Sequence, residues 1–493
     1  MILAVDIGTS SFKAGLFGFD GVCRGRAEAG LTMTAGEGGR HEAECGQWLD
    51  AFAECCARLG PMPKAEAIVV SGNGPSLVPV TGEPSVNSRG LALPAAAARL
   101  WLDRRAGEEA AAVSALLGEY VDAGFYLPKA LFIKNREGPL YEKTRVFLSC
   151  PEYLACALTG EARTVIPSEG FERWFWNDGV LEALGLDRAK FPPFVSPGDT
   201  IGALTGAAAA RFALSPRIPV IAGGPDFFAS ILGTGALRPG DACDRSGTSE
   251  GINVCTEKRI VDPRLMSYGH PVKPYWNLSG IISTTGKALD RVRAILGMEA
   301  AAHGEFFALA ERADPGAGGL LFLPYLAGER APLWDPRARG VFMGLGLGTG
   351  RAEFARSAAE GICFALRDVI AVMREAGAPV RNLRVSGGPA ASAFLNGLKA
   401  DISGCEVLVP AVKDAELLGL TALGAAACGK FGSAAEAAAA LVRIERVFRP
   451  DEKKAPLYEG LFAGYRDLYR SLKDYFAALP DPVRLCTPAG DGK

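Results

Sequence analysis

A chain of 493 residues is about three times the usual domain length, and 49% apolar with 22% charged residues gives an ordinary globular composition with material for more than one core. A net charge of −2 without a basic run excludes nucleic acid as an expected partner, and three histidines exclude a histidine-rich metal site. Twelve scattered cysteines with no C-x-x-C exclude zinc ribbons and dithiol motifs, and with no leader pattern or long apolar run they predict a cytoplasmic protein of reduced thiols.

The first predicted element is a buried strand over 2–5. It runs into Asp6, a small-residue turn (Gly8, Thr9, Ser10, Ser11) and Lys13, and Asp20-Gly21 then turns the chain toward a further strand. A Gly/Thr/Ser turn leaves backbone N–H groups open to a phosphate, an acid beside it suits hydrated Mg²⁺, and the lysine adds positive charge. Alone, the stretch reads equally as a β-hairpin with a polar turn. The pattern returns in the second half as Asp244-Arg-Ser-Gly-Thr-Ser249, which predicts two similar domains facing one polyphosphate.

A helix is expected over 47–59, then a strand over 67–70 ending in the polar loop Ser71-Gly-Asn-Gly-Pro-Ser76. Leu100-Trp-Leu-Asp-Arg-Arg105 follows, either a helix start over a buried Trp or a sugar contact with a ring for stacking and a carboxylate for hydroxyls. Residues 146–148 read as a strand and those from 150 onward as a helix, and the aromatic stretch around Phe171, Trp174, Phe175 and Trp176 reads as core before lid. The apolar strand over 218–224 delivers Pro225 and Asp226 to a helical run. Asp226 therefore stands where helix N–H groups favour an anion, a place that N-cap aspartates also take for structural reasons alone.

In the second half, a strand over 320–323 precedes the charged loop 324–335, and apolar positions Phe354, Ala358, Ile362, Ala365, Val369 and Met373 mark a helix over 350–376. A strand over 383–385 hands Ser386-Gly-Gly-Pro389 to a helix over 392–402, the shape of a nucleotide loop. Asp414 is expected to cap a small-residue helix over 416–428 built for close packing. A surface helix over 454–479 and a frayed end complete the chain.

Taken together these residues resemble the FGGY carbohydrate kinases. The matching segments are Asp6-Ile-Gly-Thr-Ser10, Gly223-Gly-Pro-Asp226 with Gly233-Thr-Gly235, Ser246-Gly-Thr-Ser-Glu250, the loop 324–335 running into Arg339-Gly-Val-Phe-Met-Gly-Leu345, and Gly387-Gly388 with Ala400-Asp401 and then Glu416 to Ala426, which resemble the adenosine-binding region. The resemblance implies an α/β fold of two ribonuclease H-like domains of the actin/hexokinase type, each a mixed sheet flanked by helices, with a cleft between them. It places an N-terminal domain over 1–236, a C-terminal domain over 237–450 and a terminal helix and tail over 451–493. The implied activity is Mg-ATP-dependent phosphorylation of a sugar hydroxyl, with a ketopentose such as xylulose as the default acceptor, no membrane partner, and a homodimer as an allowed assembly. Asp226 is implied as the base and Asp6 as the Mg²⁺ residue. Gly8, Thr9, Ser10, Lys13, Gly247 and Thr248 are implied along the phosphates, and Gly286, Gly387, Gly388 and Ser392 along the rest of the nucleotide.

The sugar half departs from the family pattern. Ser71-Gly-Asn-Gly-Pro-Ser76 stands where pentulose kinases read Ser-Gly-Gln-Met-His-Gly, so Asn73, Gly74 and Pro75 replace the usual sugar contacts. Trp101, Asp103 and Arg105 keep part of Trp-Asn-Asp-x-Arg, the first signature survives as Lys129, Leu131 and Phe132, and Phe227 follows the catalytic Asp in place of His, Gln or Asn. A deoxy sugar, ketohexose or polyol is therefore the alternative acceptor. A nucleotide sensor or a hydrolase of the same fold is the rival class. The intact Asp6 and Asp226 count against the sensor, and the Gly328-Glu-Arg330 loop counts against the hydrolase.

Overall fold

A computed structural model describes residues 1–479 except 63, 84, 88, 89, 169, 170, 173 and 174. Expectations for Trp174 and for the end beyond 479 lie outside the described residues. The chain divides into two compact units: Met1–Leu237 with Tyr268–Trp276 and Asp414–Arg443, and Arg238–Ser267 with Asn277–Lys413 and Ile444–Lys493. The first break falls beside the expected boundary. The stretch 414–443, expected in the second domain, instead groups with the first unit, because its glycine-rich helix has its packing partners there.

The first unit is built on a six-stranded sheet ordered Thr200–Ala203, Pro219–Pro225, Ala67–Gly72, Ile2–Ile7, Ser11–Phe17, Cys23–Gly30. Ile2–Ile7 is buried along its whole length and runs parallel to Ala67–Gly72, which is parallel in turn to Pro219–Pro225. That burial explains why the strand reads as continuously apolar rather than alternating. In the second unit a seven-stranded sheet repeats the order, with Asp241–Ser246 as the counterpart of the first strand. It pairs antiparallel with Glu250–Thr256 and parallel with Asn382–Ser386, beyond which lie Glu406–Pro410 and an antiparallel edge, Ile444–Phe448. The recurrence of the Gly-Thr-Ser turn thus marks a recurrence of topology.

Close packing of small residues fixes the helix that follows Pro225. Helix Asp226–Thr234 lies against helix Ala415–Ala427, where a Cβ on Gly233 would sit 1.7 Å from the Ala415 carbonyl oxygen and one on Gly419 would sit 1.9 Å from that of Ala229. Only glycine permits that crossing. Asp414 precedes the second helix as expected but does not cap it with its side chain; the carboxylate is drawn instead to Arg26 Nε at 2.6 Å and Lys13 Nζ at 3.2 Å. Residues 100–105 form turns, not a helix start, and the helix begins at Gly107.

Part of the aromatic stretch is core, as expected. Phe175 and Trp176 are buried among Tyr126, Phe191 and Phe194. Phe171 turns the other way, onto Phe227 at 6.0 Å and Tyr268 at 4.7 Å between ring centroids. Among the described cysteines all but Cys23 and Cys428 are buried thiols. No described helix is long and apolar enough to cross a membrane.

Candidate active site

Three neighbouring strands of the first unit end at one level. The register aligns Ile7 with Gly72 and Gly72 with Pro225, so Asp6, Asn73 and Asp226 issue from the carboxyl ends of adjacent parallel strands. In open α/β sheets such ends are where ligands are bound. Asp6 is 5% exposed and lies in register with Lys13 and Ser71 on its two neighbours.

The turn after Asp6 is closed by Gly8 N–H donating to Ser11 O at 2.9 Å, with a Cβ on Gly8 only 2.8 Å from that oxygen. Thr9 Oγ1 accepts the Trp101 Nε1 hydrogen at 3.0 Å, which brings the predicted phosphate turn and the predicted stacking ring together. Ser10 is exposed. Lys13 is not a free cation. Burial opposes its charge, but Glu416, Asp414 and Asp6 more than offset that and raise its pKa. Asp414 was expected as a helix cap and Glu416 as the start of a segment resembling the adenosine-binding region; their ionic contact with Lys13 was not foreseen, because they arrive from the far end of the chain.

Asp226 opens its helix, with Pro225 at the N-cap, and its Oδ1 accepts the N–H of Phe227 at 2.7 Å. Ser230 Oγ, one turn on, is 3.0 Å from both Asp226 O and Glu416 Oε1. The helix start is therefore tied to the neighbouring helix by a hydroxyl as well as by the glycine contact.

Asn73 is buried at 5% exposure; its backbone N–H and Nδ2 both reach Ile7 O, at 2.8 and 3.0 Å, while Oδ1 has no partner among the described residues. Gly74 lies beside Tyr126, and Pro75 O accepts from Lys129 Nζ at 2.7 Å, a buried amine whose pKa desolvation lowers to about 7. The expectation for Asp103 changes. It is 2% exposed and engaged by Arg105 Nη2 at 2.6 Å and by His41 N–H at 3.1 Å, while Arg105 Nη2 also meets Glu42 at 2.7 Å. Such a carboxylate holds Arg105 and the loop in place and has no exposed face for a sugar hydroxyl.

The second unit gathers the other predicted nucleotide residues. Gly247, Thr248 and Ser249 form the turn between the paired strands, closed by Gly247 N–H to Ser249 O at 2.8 Å. Gly286 and Thr285 donate to Gly247 O at 3.0 Å and Thr248 O at 3.2 Å. A Cβ on Gly286 would stand 2.3 Å from Gly247 O, and one on Gly387, whose φ is +87°, would stand 1.9 Å from Ser246 O. Both glycines let backbone pack directly on this turn, which leaves the turn itself as the glycine-rich backbone suited to a phosphate. At Gly388 a Cβ would meet open space. Ser392 Oγ accepts Leu395 N–H at 3.2 Å as the N-cap of helix Ala393–Ser403.

The charged loop 324–335 supports the same turn from outside. Glu329 Oε1 accepts Ser283 N–H at 2.6 Å and Arg330 N–H at 2.8 Å, and Thr284 Oγ1 donates to Pro324 O at 2.5 Å, just before Gly286. Burial pushes the Glu329 carboxyl up to about 7. The second acid of the repeated pattern has a different place from the one expected. Asp244 is fully buried and bound to Lys399 at 2.5 Å, whereas Asp6 lies at its strand end in register with Lys13. No described group of three or more His, Cys, Asp or Glu side chains forms a ready-made metal site.

Two sheets of one strand order, each ending its central strand in a Gly-Thr-Ser turn, give the actin/hexokinase type of fold. Residues 1–233 match the N-terminal domain, and residues 245–428 the C-terminal domain, of the FGGY family of carbohydrate kinases. The chain belongs to that family and is a carbohydrate kinase. It is 27% identical to a xylulose kinase of Staphylococcus epidermidis over 97% of this chain and 98% of the relative, and 28% identical to a Bacillus subtilis gluconokinase over 73% of each. The solved ligand-bound xylulose kinase of Lactobacillus acidophilus superposes with a TM-score of 0.84 at 24% identity, covering 97% of this chain and 99% of that one, which shows the shared fold.

Proposed function

We propose that the protein phosphorylates a hydroxyl of a ketopentose such as xylulose, with Mg-ATP as donor and Asp226 as general base. The observation that carries the assignment is the convergence of Asp6, Asn73 and Asp226 on the ends of three adjacent strands. Full-length similarity to a xylulose kinase supports the choice of acceptor.

Asp226 would accept the proton of the attacking hydroxyl. The Phe227 N–H donates to Asp226 Oδ1, which fixes the orientation of the carboxylate at the start of its helix for that proton transfer. Phosphoryl transfer depends mainly on alignment and charge neutralisation, which the two Gly-Thr-Ser turns would supply through backbone N–H groups. Magnesium, when bound, neutralises phosphate charge, and Asp6 would hold it. Lys13, steadied by Asp414, contributes fixed positive charge beside the first turn.

One observation favours a second acceptor. Phe227, Phe171 and Tyr268 stack as three mutually contacting rings immediately after Asp226, with centroids 4.7 to 6.0 Å apart. A wall of that kind favours a sugar with a deoxy or methyl centre over one with a hydroxyl there, since an unmatched buried hydroxyl costs about 1–3 kcal/mol. Sugar-dependent ADP release across ketopentoses, ketohexoses, deoxy sugars and polyols separates the two. Xylulose giving the highest kcat/KM supports the first reading, and a deoxy sugar surpassing it about tenfold selects the second.

A further inference from the structure

Beneath the second Gly-Thr-Ser turn lies a cluster of charge that the reaction does not require. Lys399, from helix Ala393–Ser403, is 2% exposed and places Nζ 2.5 Å from Asp244 Oδ2, 2.7 Å from Ser246 Oγ and 2.5 Å from Glu250 Oε1. Ser246 Oγ also lies 3.1 Å from Asp244 Oδ1 and 2.9 Å from Glu250 Oε1. Asp244 is 0% exposed, Glu250 1% and Ser246 3%.

An ammonium has three N–H donors, and here each has an acceptor, so the side chain has one satisfied arrangement. Asp244 and Ser246 belong to the strand before the turn. Glu250 pairs directly with Ser246 from the strand after it. The lysine therefore clamps both arms of the hairpin on either side of Gly247, Thr248 and Ser249. Its own helix is capped by Ser392, and Asn396 Nδ2 of that helix donates to Ala390 O at 2.8 Å, just past Gly387 and Gly388. Two side chains of one helix, Lys399 and Asn396, thus reach the strands beside the turn and the second glycine segment.

Charges buried this deeply add little net stability compared with apolar residues of similar size, but they do specify a single arrangement. We propose that Lys399 is a positioning residue for nucleotide binding: through Asp244, Ser246 and Glu250 it holds the Gly247–Ser249 backbone in the geometry that receives phosphate. The inference rests on this turn being a nucleotide site, as proposed above.

The test measures Mg-ADP affinity by titration calorimetry, together with KM for ATP and KM for sugar, in the full-length protein. Ser246→Ala removes the hub of the network without stranding a charge and is chosen to fold. It and Lys399→Met are expected to weaken Mg-ADP binding at least tenfold and raise KM for ATP in proportion, with KM for sugar changed less than twofold. Glu250→Gln, which keeps an oxygen for Lys399, should lose less than threefold, whereas Glu250→Leu should lose as much as Ser246→Ala. Wild-type affinity in folded Ser246→Ala, or equal losses in KM for both substrates, overturns the proposal while leaving the kinase reading intact. A wild-type protein that binds no Mg-ADP overturns both.

Discussion

Asp226 gains its setting from its neighbours more than from its own environment: a strand end before it, helix N–H groups after it and a hydroxyl beneath it. Asp226→Asn keeps the shape and the hydrogen bond to Phe227 but cannot take a proton. Turnover should fall about 10²–10⁴-fold, the usual contribution of a general base, while Mg-ATP affinity measured by calorimetry stays within about twofold of wild type. Gly387→Ala asks for a Cβ 1.9 Å from Ser246 O at a left-handed φ. It should lower stability by about 1–3 kcal/mol and raise KM for ATP, read from urea melts and initial rates. The place of Asp226 between a strand end and a helix start was legible in the sequence, because an apolar strand, two glycines and Pro-Asp leave few other arrangements. The burial of Asp103 against Arg105 was not legible, since an acid two residues before an arginine reads the same whether it meets a sugar or lies against that arginine. The Lys399 cluster was not legible at all: its members are separate in sequence and join only through strand pairing.

The helix that carries Asp226 is placed by the small-residue helix Ala415–Ala427. Gly419→Ala would push a methyl group against the Ala229 carbonyl oxygen, which sits 1.9 Å from the ideal Cβ position. A loss of about 1–3 kcal/mol in chemical denaturation is expected, with a lower kcat because the start of the partner helix must shift. The sequence showed that this helix was built for close packing but not what it packed against, since its partner lies nearly two hundred residues earlier and no local pattern encodes that pairing. A second element carries a pH dependence. His270, in the stretch between strands Met266–Gly269 and Trp276–Ile282, is 3% exposed, and burial lowers its pKa from 6.5 to about 4 while its Nδ1 accepts Val272 N–H at 3.0 Å. Between those values the unfolded chain binds the proton and the folded one does not, so the stability is fully present above pH 6.5 and is lost as pH falls toward 4. His270→Asn, which keeps an acceptor for Val272, should flatten that acid limb by up to about 3 kcal/mol, measured by denaturation at a series of pH values.

The whole molecule is a duplication of one sheet order, and this was visible before any coordinates as two short strings, Asp-x-Gly-Thr-Ser and Asp-x-Ser-Gly-Thr-Ser. The backbone turn was preserved between the halves and the acid was not: Asp6 stays at a strand end beside its turn, whereas Asp244 is paired with Lys399. The break near 237 follows from where the second pattern starts, but the return of 414–443 to the first unit comes from glycine contacts that composition cannot assign. The acceptor is the part least readable from sequence, because Asn73, Pro75 and Phe227 replace the side chains by which pentulose kinases of this pattern are recognised. The central claim, a sugar kinase with Asp226 as base, is tested most directly by phosphorus NMR of ATP and xylulose incubated with the wild type and with Asp226→Asn. A new phosphomonoester signal with the wild type, absent with the variant although it still binds Mg-ATP, is the predicted result. Release of inorganic phosphate at one rate with or without sugar, in both proteins, would contradict it.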